Sequence, residues 1–136
     1  MELADPREGA SVVCASCHDQ NHRADDVLKP GETSFWTTTG QFPHVLVIEL
    51  SKAGTIQAVE TVTSNVRTLS VETAGPSTSN WSALFETELD DIDGRLQVHS
   101  HLTSAHKSAA FVRISILKGW GEHSTVNRVS VRGKAG

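Results

Sequence analysis

The chain has 136 residues, 38% of them apolar, and a formal charge of −4 at pH 7. That length suits one domain, able to bury roughly two-thirds of its unfolded surface in a single core. The mild acidity leaves no basic stripe for a nucleic acid, and no run approaches the ~20 apolar residues of a membrane-spanning helix.

The opening "MELADPREGAS" lacks a basic segment followed by an apolar run. This predicts no export signal, and hence an intracellular, reducing setting in which disulfides are rare. Residues 1–10 and 133–136 read as flexible ends of a single domain spanning 1–136. "SVVCASC" is the first strand, and it carries the chain's two cysteines. Cys14-Ala15-Ser16-Cys17-His18 matches the C-x-x-C-H pattern of c-type haem attachment, and His22 follows closely. The pattern has only three fixed residues, and haem attachment belongs to exported chains. Met1 is also the only methionine that could serve as a sixth ligand. Zinc requires four convergent ligands. On a strand Cys14 and Cys17 face opposite ways with about 10 Å between their Cα atoms, beyond the ~7 Å reach of a disulfide. The expectation is therefore structural, with one cysteine a small buried hydrophobe and the other nearer the following loop.

An acidic, polar stretch then leads to Phe35-Trp36 and to Thr37, Thr38 and Thr39 before a glycine. Trp36 is expected to plug one end of the fold. The threonine hydroxyls would serve loop backbone or a partner. From here the period is two. Residues 44–51 form a β-branched run, and 54–75 hold two more strands with a break at 63–65. Residues 81–89 are ambiguous between strand and short helix, because Ala, Leu and Glu favour helix. Residues 94–102 alternate clearly. In 111–118, Val112, Ile114 and Ile116 face one side, and Phe111, Arg113, Ser115 and Leu117 the other. Residues 125–133 supply the last strand. Loops are predicted at 28–34 and 74–80, and a tight Asp-Gly hairpin at 90–94. About eight strands in this order predict an all-β, antiparallel β-sandwich of jelly-roll type.

His99 and His101 fall on one face of a strand, where His106 and His123 could in principle join them. They read as exposed strand histidines, because no carboxylate or cysteine completes a set of metal ligands. "DDIDG" has no second acidic half to make it an EF-hand. No nucleophile elbow, phosphate-binding glycine loop or metalloprotease helix occurs, so no catalytic constellation is expected.

"VVCASCHDQN" followed by "ADDVLKPGETSFWTTTGQFP" resembles the opening of discoidin, or coagulation factor 5/8 type C, domains. With "FVRISILKGWGEHSTVNRVSVRG" and the single-domain length, the resemblance narrows to the intraflagellar transport protein 25 family, over nearly the whole chain. It implies a galactose-binding-domain-like jelly roll and a non-enzymatic role in the cilium or flagellum, the cytoplasm and the basal body region. The partner it implies is a Rab-like small GTPase, intraflagellar transport protein 27, within intraflagellar transport complex B. By the same resemblance, Thr37, Thr38, Thr39, Glu122, Ser124 and Thr125 are expected at one end of the fold as partner contacts. A calcium (Ca2+) loop is implied at Asp26, Glu32 and Ser34 with the Lys29 carbonyl. There Lys29-Pro30 replaces the family's Asp-Gly, removing one hard oxygen and placing an ammonium beside a dication. The discoidin relationship carries a second expectation, a carbohydrate- or lipid-headgroup-binding module. The polar, acidic loop and the absence of tyrosine count against it.

Overall fold

The structure is a computed structural model that describes residues 3–4, 9–15, 36–38, 43–75, 81–92, 95–103, 108–120 and 124–135. For 13–15, 36–38 and 135 it describes the backbone alone. Cys17, His18 and His22 lie outside these residues. So do His106 and His123, the side chains of Cys14 and Trp36, and the loop at 28–34.

Among the described residues there are eight strands: β1 (Ser11–Ala15), β2 (Trp36–Thr38), β3 (His44–Ser64), β4 (Val66–Ala74), β5 (Trp81–Glu88), β6 (Gln97–Leu102), β7 (Ser108–Gly119) and β8 (Ser124–Ala135). All pairings are antiparallel. The organising element is β3. Its first half pairs with β1 and β7, and β7 continues to β4 and β5. Its second half pairs with β8 and β6, and β8 also carries β2. One strand of 21 residues thus belongs to both sheets of a sandwich. The sequence pattern divided this stretch into a strand over 44–51 and two more within 54–75, with Lys52 and Ala53 assigned to neither. Those residues instead carry the strand around a corner, where Gly54 and Thr55 pair with both β7 and β8.

Burial follows that corner. In the first half of β3 the even positions Leu46, Ile48 and Leu50 are buried, and in the second half the odd positions Val59, Thr61 and Thr63. The phase changes at a bulge between Ile56 and Ala58, since one extra residue turns every later side chain over. Alternation in β7 is as expected, with Val112, Ile114 and Ile116 fully buried. These side chains pack with Leu69 and Val71 of β4 and with Val126, Val129 and Val131 of β8 in one core. Residues 81–89 resolve as strand, because β5 completes the margin of the first sheet and packs Leu84 and Phe85 against that core. Tertiary pairing overrides a weak local helix preference.

Two further expectations change. The strands on either side of 90–94 do not form a hairpin: β5 pairs with β4 and β6 with β3, so they belong to different sheets. Within the 1–10 stretch, read as flexible, Leu3, Ala4 and Ala10 belong to the core. Leu3 is fully buried, donates its N–H to the Val131 carbonyl, and accepts from the Ser51 N–H and hydroxyl. At the other end of the chain β8 runs through Gly133.

β5 and β6 lie at the margins of different sheets, and an aromatic stack joins them. The Phe85 ring lies 4.2 Å from the His101 ring and 5.4 Å from that of His99. The two histidines share a face, as the alternation predicted, but they are half-buried rather than exposed. His99 stands opposite Thr61 in the ladder. Neither its Nε2 nor the Thr61 hydroxyl has a hydrogen-bond partner among the described residues. Burial, with the neighbouring His101 imidazole second, holds the His99 pKa below its ordinary value. A histidine with a depressed folded pKa binds its proton more readily when unfolded. Its contribution is therefore present above the unfolded value of about 6.5 and is lost as pH falls through the folded one. The expected result is a melting temperature that falls as pH drops below about 6.5, with a shallower fall in His99→Gln. Calorimetry at matched ionic strength checks it.

Candidate docking site at one end of the sandwich

The end of the sandwich where β3 passes into β4 is built on a single residue. Asn65 takes φ = 59°, a left-handed conformation that Asn tolerates better than most residues. This lets β3 leave one sheet and β4 enter the other within one position. The Asn65 carbonyl accepts the Trp120 N–H at 2.9 Å and the Ser124 hydroxyl at 2.9 Å. The corner therefore holds both ends of the β7–β8 connection.

β2 lies along the start of β8, with Thr37 opposite Thr125 and Thr38 opposite Ser124. The backbone thus brings together four of the six residues expected as partner contacts, although 86 positions separate Thr38 from Ser124 in the chain. Thr39 and Glu122 lie outside the described residues, as do the side chains of Thr37 and Thr38. Ser124 needs a correction. Its side chain is fully buried and its hydroxyl is donated to Asn65, so it positions the corner and offers no surface. Thr125 is half-buried, with its hydroxyl donated to the Asn127 side-chain oxygen at 2.8 Å.

Trp120 adds what the sequence reading did not assign. It is 42% exposed. Its indole N–H donates to the Leu89 carbonyl at 2.8 Å, and the Arg67 guanidinium sits 4.9 Å from the ring centre. A large side chain held this firmly at the surface has little conformational entropy left to lose. The signal was present in Gly119-Trp120-Gly121, an aromatic between two glycines directly after a strand.

The expected calcium ligands Asp26, Lys29, Glu32 and Ser34 lie outside the described residues. Among the described residues no three His, Cys, Asp or Glu side chains are grouped to hold a metal ion. Among the described residues no helix is long and apolar enough to cross a membrane.

Several solved structures share this fold. A family 32 carbohydrate-binding module of Clostridium perfringens NanJ, solved in complex with galactose, superposes with a TM-score of 0.79 at 14% identity, covering 96% of this chain and 98% of that one. A second such module, from a family 31 glycoside hydrolase of the same organism, gives 0.81 at 16% identity over 98% and 95%. Allantoicase gives 0.80 at 19% identity, with 98% of this chain matching 44% of that one. At these identities the likeness defines the class by its fold, a galactose-binding-like jelly-roll domain. No protein-family model matches the chain.

Sequence relatives carry the identification further. Intraflagellar transport protein 25 of Chlamydomonas reinhardtii is 35% identical over 133 residues, which is 97% of this chain and 69% of the relative. The mouse homolog of that protein is 27% identical over 98% of this chain and 93% of its own length. The chain belongs to the intraflagellar transport protein 25 family.

Proposed function

We propose that the chain is a non-enzymatic assembly subunit of the intraflagellar transport machinery. In this reading it is part of complex B, and it holds a Rab-like small GTPase, intraflagellar transport protein 27, at the end of the sandwich where β2 meets β8. It would act in the cilium or flagellum and pass through the cytoplasm near the basal body. The observation that carries the reading is the 35% identity to a transport protein across nearly the whole chain. The geometry supports the choice of surface. Thr37 and Thr38 belong to a strand of only three residues, and at the same end of the sandwich Trp120 and Arg67 form an aromatic–cation pair, both residue types being enriched among energetically dominant contacts. A stable interface of ordinary size buries about 1,600 Å² in total, so the patch must extend beyond these residues along β8.

The sugar-binding function of the structural neighbours finds less support. A sugar platform presents an open aromatic face, whereas a guanidinium lies over one face of Trp120. Trp36, Trp81 and Trp120 also stand on separate strands or connections.

Thr38→Arg places a long cation on the β2 edge. It is expected to weaken GTPase binding by about tenfold or more, equivalent to ~1.4 kcal/mol, with an unchanged melting temperature. Trp120→Ala removes the anchor and is expected to weaken binding by about thirtyfold, in keeping with a contact worth ~2 kcal/mol. Titration calorimetry with the purified GTPase measures both. Two variants that bind like the wild type would move the interface elsewhere.

A further inference from the structure

Among the described residues four strands lie at the margins of the two sheets, and β6 differs from the rest. β1 and β2 are five and three residues long, and β5 carries exposed Glu86 and Glu88. Short length and charge are the usual means of keeping an edge from pairing with another chain. β6 has neither charge nor proline: it reads Gln97-Val98-His99-Ser100-His101-Leu102. Its register with β3 runs unbroken over all six residues. Val98 is 66% exposed and Leu102 81% exposed, two of the three large apolar residues so exposed among the described ones. Among the described residues only β3 pairs with it there.

The strand's own order indicates what it pairs with. About Ser100 it is close to symmetric: aliphatic, imidazole, hydroxyl, imidazole, aliphatic. If two copies meet antiparallel on a two-fold axis at Ser100, Val98 faces the second copy's Leu102, His99 its His101, and Ser100 its Ser100. Directly opposed residues share a face. The exposed aliphatics therefore cover one another on the outside of the sheet, and the imidazoles fall on the inner side. The strand carries no Asp, Glu, Lys or Arg to set like charges against each other.

We propose that β6 is a self-association edge, through which a second copy of this chain pairs antiparallel about Ser100. The contact is isologous. In the order β2-β8-β3-β6, β6 lies at the opposite margin of its sheet from β2. Pairing joins two four-stranded sheets into one of eight and leaves both β2 edges open. It does not depend on the GTPase reading.

Sedimentation equilibrium of the wild-type chain tests it, from about 10 µM to about 1 mM at neutral pH, the range suited to a small interface. The expected result is a weight-average mass rising toward twice that of the chain. Val98→Lys and Leu102→Lys should each weaken association at least tenfold, with melting temperatures unchanged because both side chains are exposed. Register is read by crosslinking, in a background with Cys14→Ser and Cys17→Ser. Opposed residues have Cα atoms about 4.5–5.5 Å apart, within disulfide reach, so Ser100→Cys should link to itself on mild oxidation. Val98→Cys would lie about 14 Å from its counterpart and should not. A single-chain mass throughout the range overturns the proposal, as does Ser100→Cys crosslinking no faster than Val98→Cys.

Discussion

Replacing Gln97 with alanine is expected to destabilise the domain by about 3–5 kcal/mol, a large fraction of the ~5–15 kcal/mol that holds a small domain folded. Gln97 is buried, and every hydrogen-bonding position of its amide is used. Its Nε2 donates to the Val66 carbonyl and the Asp90 carbonyl, each at 2.8 Å. Its Oε1 accepts the Val66 N–H at 3.1 Å and the Thr63 hydroxyl at 2.9 Å. The amide thus pairs with both backbone groups of Val66, as a neighbouring strand would. In doing so it ties the start of β6 to the end of β3, the start of β4 and the crossing segment after β5.

Alanine leaves two buried backbone groups of Val66 and one buried hydroxyl without partners, and each such loss costs about 1–3 kcal/mol. Neighbouring losses overlap, which keeps the total near the lower sum. The measurement is chemical denaturation with both variants at one pH. Gln97→Glu should also fall well short of wild type, since it keeps two acceptors but loses both donors and buries a carboxylate. A loss below about 1 kcal/mol in the alanine variant would mean that water replaces the amide.

Gly133→Ala is the second large effect, expected at about 2–3 kcal/mol. A methyl group at Gly133 would run into the carbonyl oxygen of Thr55 and stand 3.0 Å from Leu3 Cδ1. The obstacle is backbone, at the corner where Gly54 and Thr55 serve both sheets, so neither strand can shift without loosening a ladder. Gly75→Ala is the internal control. Among the described residues nothing lies within 4 Å of a Cβ there, and the change should stay within about 0.5 kcal/mol. If the two variants melt together, the close approach of β8 to the β3 corner is not what requires glycine.

Sequence by itself determined the class and most of the strands. Alternation in 111–118 marked Val112, Ile114 and Ile116 as core, and all three are fully buried. The break at 63–65 contained Asn65, the one non-glycine residue with positive φ among the described residues. These features are local, since one strand's own apolar pattern shows which face must leave water. One juxtaposition of distant segments was legible too, because resemblance placed Thr37, Thr38, Ser124 and Thr125 at one end and the β2–β8 register pairs them.

Only the tertiary structure decided how these pieces share partners. The alternation divided the chain between 51 and 54, where β3 instead turns a corner because β7 and β8 both pair across it. Ser124 looked like surface until its hydroxyl was placed under Asn65. His99 and His101 looked exposed until Phe85, on the margin of the other sheet, stacked on them. Gln97 has the composition of an ordinary polar strand residue, yet it is buried because the backbone of Val66, 31 positions away, presents both a donor and an acceptor to its amide. Each of these outcomes depends on a group remote in the chain supplying a hydrogen bond or excluding water, and local periodicity carries no record of which remote group that will be.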